Sequence, residues 1–327
     1  MSEGADYEEV HWDSGHDFSA ARATYERSSG RAYDKAQSEG MTINDLLPEF
    51  LEMSGLMSLV LAVDGTGSMG KEPGVVFSKA PYLEHEMQTE YFGEESQISV
   101  CVFGDARNSE NYPLQARPFA SGQAFKDYLK ELVIEGKGGT GICETSECAA
   151  LYYARNVRMK KNARPMFVLV TDEMPYDHVT RETAALIRVK LQQRISTKEI
   201  FDELREKYGV YIILKPYGAG GDAAITDDVR REWLRYVDED HIVAMTDPDR
   251  VVDIIFGLMA AETKRVEYFR EEIENRQKPN QVKTVYKSLE TVHARFLADE
   301  DSSPDDGKSK MFRTAKRGKT KKVDDLI

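Results

Sequence analysis

An aspartate and two hydroxyls at alternate positions, Asp64, Thr66 and Ser68, close the apolar run Leu59-Val60-Leu61-Ala62-Val63. Oxygen donors gathered in this way suit a hard divalent cation such as Mg2+, which takes oxygen ligands at about 2.0–2.1 Å in near-octahedral geometry. Gly65 and Gly67 separate them, and glycine lets the backbone turn tightly enough for the three side chains to converge. Further along lie a loop, Gly138-Gly139-Thr140, and a second apolar run, Met166-Phe167-Val168-Leu169-Val170-Thr171, that ends at Asp172.

The order of these segments, Asp-x-Thr-x-Ser at a first strand tip, Gly-Gly-Thr before a helix and Thr-Asp at a later tip, resembles the metal-ion-dependent adhesion site of the von Willebrand factor A domain family. The resemblance covers residues 56–262. It implies that Ser68, Thr66 and Thr140 bind a cation directly or through water, and that Asp64 and Asp172 bind it mainly through water. It also implies a coordination position left for a carboxylate from a partner protein. Hydroxyl and water ligands leave Mg2+ or Mn2+ under-neutralised, so an incoming acid supplies charge as well as an oxygen.

The chain departs from the family pattern after Thr140, where Gly141-Ile142-Cys143-Glu144-Thr145-Ser146-Glu147-Cys148 precedes Ala149-Ala150-Leu151. Glu144, Thr145 and Glu147 therefore compete for the metal or its outer shell. Asp105 and Glu173 are candidates to border it. Val63 to Gly70, Gly104-Asp105-Ala106, Pro113-Leu114-Gln115 and Thr171-Asp172-Glu173-Met174 together resemble a bacterial and phage branch of the family. Some members of that branch are associated with MoxR-like AAA+ ATPases, a class of partner implied at family level only.

Other readings of Asp-Gly-Thr-Gly-Ser fit less well. A haloacid-dehalogenase-type phosphatase needs a nucleophilic aspartate where this chain has Ala62. An actin-like sugar kinase needs a second phosphate loop and an adenosine loop, which the sequence lacks. A Mg2+-dependent hydrolase or phosphotransferase using the same carboxylates stays open as the alternative, with Asp105, Glu144 or His178 as the base.

Strands and helices alternate in the manner of a doubly wound, mostly parallel α/β sheet flanked by helices. Strands are expected over 58–63, 97–103, 166–171, 209–214 and 241–244, with a short edge strand over 113–119 whose prolines suit an edge. Helices are expected over 75–91, around Phe125–Val133 positions, over 143–157, over most of 180–207 with a break near Ser196, over 227–236, and on the stripe Val251, Ile254, Ile255, Leu258 and Met259. Ligands of such sheets sit beyond the carboxyl ends of the strands, where Asp64 and Asp172 both fall.

The organisation expected is a 1–55 extension with a disordered start and then helices (20–37 and 42–53), an A-type domain over 56–262, helices over 263–298, and a disordered acidic-then-basic tail over 299–327. From Lys308 to Lys322 the tail is basic with no acid. On a chain of net charge −13, such an arm suits folding back on the acidic body better than nucleic acid, because no aromatic platform accompanies it. No apolar run reaches the ~20 residues of a membrane span, and the acidic start is unlike a signal sequence. The expected location is cytoplasmic. Cys101, Cys143 and Cys148 are too few and too irregular for a disulfide framework or a zinc site.

Overall fold

In the computed structural model, residues 33–302 are described, apart from 71, 109, 137–140 and 219–220. Thr140, the first part of the expected 20–37 helix and the basic tail therefore lie outside the described residues.

The elements run α1 (Tyr33–Ser38), α2 (Ile43–Leu46), β1 (Leu51–Met53), β2 (Leu59–Asp64), α3 (Glu72–Glu86), β3 (Ile98–Phe103), β4 (Leu114–Ala116), α4 (Gly122–Glu131), β5 (Cys143–Glu144), α5 (Ser146–Asn156), β6 (Val157–Met159) and β7 (Met166–Thr171). There follow β8 (Met174–Pro175), β9 (His178–Val179), α6 (Arg181–Leu186), β10 (Ile195–Ser196), α7 (Thr197–Arg205), β11 (Gly209–Leu214), α8 (Ala223–Trp233), β12 (Ile242–Ala244), α9 (Val251–Glu262), α10 (Val266–Arg276) and α11 (Pro279–Ser302).

The central sheet has the order β12-β11-β7-β2-β3-β4. Its pairings are parallel from β12 through β3, and β4 joins β3 antiparallel as the edge. Every residue of β2, β3 and β7 is buried, because helices cover both faces of a parallel sheet and its strands must be apolar throughout. Successive side chains serve opposite faces. Leu59, Leu61, Val63, Val100 and Val168 pack with α3, α4, α9, α10 and α11, while Val60, Ala62, Cys101, Phe167 and Leu169 pack with α5 and α7. The fold class is thus a doubly wound, mostly parallel α/β sheet, as the alternating pattern implies.

Four local expectations need correction. Residues 42–53 are a single helical turn and then the strand β1, which pairs parallel with β6; Pro48 drives Leu47 into extended backbone (φ −131°, ψ 103°), which ends the helix. The helix expected from Cys143 begins at Ser146, because Cys143 and Glu144 are taken up in pairing with β8. Its far end stops at Asn156, where Val157 enters the pairing with β1. Helix is absent from 187–196: Arg188 takes a left-handed conformation, and α7 begins at Thr197 behind Ser196, whose side chain accepts from the Glu199 N–H in a capping box. The charged stretch 262–277, expected to continue the preceding helix, instead starts a new one at Val266, since Lys264 is left-handed (φ 56°). No described helix is long and apolar enough to cross a membrane.

Candidate metal centre

Three neighbouring parallel strands deliver the site. Asp64 is the last residue of β2, Asp172 follows β7 directly, and Lys215 follows β11 directly. The register aligns Val63 with Val170 and Thr171 with Leu214, so the three side chains leave adjacent strand tips. After Asp64 the chain must turn hard against β3. The Gly65 N–H donates to the Phe103 carbonyl at 2.8 Å, and a Cβ there would lie 2.6 Å from a methyl of Val102. Only glycine fits that approach.

The turn beyond it brings the hydroxyls back. Thr66 donates to Asp64 Oδ1 through both its N–H (2.9 Å) and its Oγ1 (2.6 Å). Thr66 Oγ1 and Ser68 Oγ lie 3.1 Å apart, and Ser68 Oγ donates to Asp172 Oδ1 at 2.8 Å. Thr171 Oγ1 donates to Asp64 Oδ2 at 2.8 Å. Four of the five residues expected to ligate, Asp64, Thr66, Ser68 and Asp172, thus come together as two hydrogen-bonded pairs whose hydroxyl oxygens lie 3.1 Å apart; the fifth, Thr140, lies outside the described residues. Asp64 and Asp172 are fully buried, and Ser68 is the partly exposed member.

Lys215 escaped the sequence reading. Its Nζ donates to Asp172 Oδ2 at 2.9 Å and to the Ser68 carbonyl at 3.0 Å, with its side chain 7% exposed. The signal available was its place as the first residue after an apolar strand next to the one that ends at Asp172, which requires the strand order to be known.

The crevice is crowded with acid. Burial, and then the charge of Asp172, pushes Asp64 up to about 7 against the hydrogen bonds of Thr66 and Thr171. Burial followed by the charges of Asp64 and Asp172 pushes Glu173 up to about 8. Glu144 is raised to about 11, first by burial and then by Asp64 and Glu173. Glu144, Glu147 and Glu173 are all under a tenth exposed, and each has one side-chain oxygen without a hydrogen-bond partner. Buried charges are ordinarily paired or bound to a cation.

The other candidates are placed differently. Asp105 is buried but tied locally: it accepts from the Arg107 N–H at 2.8 Å, from the Asn108 side chain, and from Tyr176 Oη at 3.0 Å. Thr145 bonds to the Gly104 carbonyl at 2.6 Å and to the Ala106 N–H at 3.0 Å, so its hydroxyl fastens β5 to the end of β3. His178 Nδ1 pairs with Asp177 at 2.6 Å. Cys101 and Cys148 are buried and unbridged, as is the half-buried Cys143. Two open grooves, about 480 and 1070 Å³ in volume, run along α5 and the 188–195 segment and are lined by residues such as Arg155, Lys190 and Gln192, none of which belongs to the hydroxyl and carboxylate cluster.

A hard divalent cation fits the donor set of neutral hydroxyls backed by buried carboxylates. Thr66 and Ser68 would hold it, with Asp64 and Asp172 orienting them. Among the described residues no group of three or more His, Cys, Asp or Glu side chains is disposed to hold a metal by itself, so any site here depends on the hydroxyls.

No family model matches the chain, and no curated protein matches it either. Among solved structures, the open conformation of the pilus adhesin SpaC from Lactobacillus rhamnosus GG is similar at 12% identity and a TM-score of 0.46; the match covers 69% of this chain and 31% of SpaC. Proximal thread matrix protein 1 from the mussel byssus, described with a zinc-occupied MIDAS motif, matches at 13% identity and a TM-score of 0.40, over 65% of this chain and 47% of that one. The vWF domain of the type V pili tip protein Mfa5 from Porphyromonas gingivalis matches at 12% identity and a TM-score of 0.39, over 68% of this chain and 96% of the domain. This chain is a doubly wound α/β protein with a hydroxyl and carboxylate cluster at the tips of its central strands.

Proposed function

We propose that this chain is a divalent-cation-dependent protein-interaction module, with Mg2+ or Mn2+ held at the Asp64, Thr66, Ser68 and Asp172 cluster and with Thr140 as the loop ligand that the family resemblance adds. The observation that carries this reading is the pair of adjacent hydroxyl oxygens, Thr66 bonded to Asp64 and Ser68 bonded to Asp172. Two hydroxyl oxygens 3.1 Å apart are set between two buried acids, and the serine end is open to solvent. A cation bound there through neutral oxygens attracts a carboxylate from an acidic side chain of a partner. The family association makes a MoxR-like AAA+ ATPase the class of partner to try first.

The test is calorimetric titration of Mg2+ and of Mn2+ into chelator-treated wild type and Ser68→Ala, followed by capture of acidic partners with and without chelator. Saturable binding in wild type, weakened by about tenfold or more in Ser68→Ala, and partner release by chelator are the expected results. Wild-type protein that binds neither cation would sink the reading. Ser68→Ala is preferable to Asp64→Ala, because removing Asp64 strands the buried hydroxyl of Thr171 as well.

A further inference from the structure

Asp64 and Asp172 are largely occupied by hydrogen bonds from the protein. Oδ1 of Asp64 accepts from the Thr66 N–H and hydroxyl, and its Oδ2 from Thr171. Oδ1 of Asp172 accepts from Ser68, and its Oδ2 from the Lys215 ammonium and the Gly218 N–H. A carboxylate presents about four lone-pair sites, so each aspartate has roughly one to spare. Two of the carboxyl oxygens left without a partner belong to neighbouring glutamates, Oε2 of Glu144 and Oε2 of Glu173.

Both glutamates are buried, at 2% and 4% exposure, and the backbone fixes both at the crevice. Glu173 follows Asp172, with its N–H on Thr171 Oγ1 at 3.1 Å and its carbonyl held by Trp233 Nε1 at 3.0 Å. Glu144 sits in β5, paired opposite Pro175 of β8, and Thr145 beside it is pinned to Gly104 at the end of β3. The Glu173 side chain has a hydrogen bond with Ser68, and the pairing of Cys143 with Met174 and of Glu144 with Pro175 sets Glu144 alongside the segment that follows Asp172.

We propose that Glu144 and Glu173 are anionic ligands of the divalent cation at this centre, completing from within the chain a sphere that Thr66 and Ser68 begin. The inference rests on the cation-site reading above and extends it. Asp64 and Asp172 then act by orienting the hydroxyls. Two buried glutamates also compensate the charge of the ion, so the centre holds its cation before any partner arrives. Hydroxyl ligands alone would leave the ion dependent on the incoming acid.

The experiment is titration of Mn2+ alone into the chelator-treated full chain as wild type, Glu144→Gln, Glu173→Gln, the double variant and Glu203→Gln. Glu203 is the control: it lies on α7, where its carboxylate accepts from Arg155 Nε at 2.9 Å and Nη2 at 2.7 Å. Each single variant at 144 and 173 is expected to weaken Mn2+ by about tenfold or more, the double variant to lose saturable binding, and Glu203→Gln to stay within about threefold of wild type. Circular dichroism monitors folding. If either glutamine variant fails to fold, Glu144→Asp and Glu173→Asp, which keep the charge and withdraw the oxygen, are expected to fold with weakened binding. Wild-type affinity in the variants at both 144 and 173 overturns the inference and leaves the cation site standing, whereas no Mn2+ binding in wild type overturns both.

Discussion

Lys215 places a fixed ammonium 2.9 Å from Asp172, so a divalent ion proposed at Ser68 would share that carboxylate with a protein cation. The pair is buried on both sides, and a buried pair that loses one partner is strongly destabilised because the other charge is left uncompensated. Lys215→Met is therefore expected to lower the stability of the chelated protein by about 3 kcal/mol, read as a shift of the urea unfolding midpoint. Adding Mn2+ should recover part of the loss, since the ion replaces the missing positive charge. A chelated variant as stable as wild type would show that Asp172 is satisfied by Ser68 and Gly218 alone.

At the scale of elements, the helices pack closely on the face of the sheet that carries Leu59, Leu61 and Val63. The helical layer over β2 is drawn tight at Gly257 of α9, where a Cβ would stand 2.1 Å from Leu289 Cδ1 of α11. Leu289 is fully buried and belongs to the same core cluster as Leu61 and Val63. Leu289→Ala is expected to cost about 2–5 kcal/mol, as truncation of a buried leucine leaves a cavity that collapses only in part; chemical denaturation measures it. A loss below about 1 kcal/mol would mean that α11 is a loose appendage of the domain.

For the molecule as a whole, the buried acids tie stability to pH. Burial chiefly raises Glu110 to about 7 and Glu147 to about 8 from an ordinary value of 4.5. Each group holds a proton in the folded chain that the unfolded chain has released, so the folded state binds more protons between pH 4.5 and about 8. Their contribution is fully present below the unfolded value and is lost as pH rises through the folded one. Chelated protein is therefore expected to be more stable at pH 5.5 than at pH 8, by about 1 kcal/mol or more, in urea titrations at the two values. Equal or rising stability would contradict the protonated state of these acids.

The sequence by itself determined the strands of the central sheet and the part of the candidate centre that lies on contiguous chain. The apolar runs that end at Asp64 and Asp172 announce buried parallel strands, because a strand covered on both faces must be apolar at every position. The Asp-Gly-Thr-Gly-Ser turn carries its own geometry, since Gly65 permits the close approach to Val102. The pieces that sequence left undetermined are those fixed by contacts between distant segments. The pairing of β5 with β8 and of β1 with β6 converted expected helix into strand, because short pairings are decided by partners remote in the chain. Lys215 reaches Asp172 only once β7 and β11 stand side by side. Strand order, which sets which tips adjoin, was decided by packing between residues far apart in sequence, and no local pattern records it.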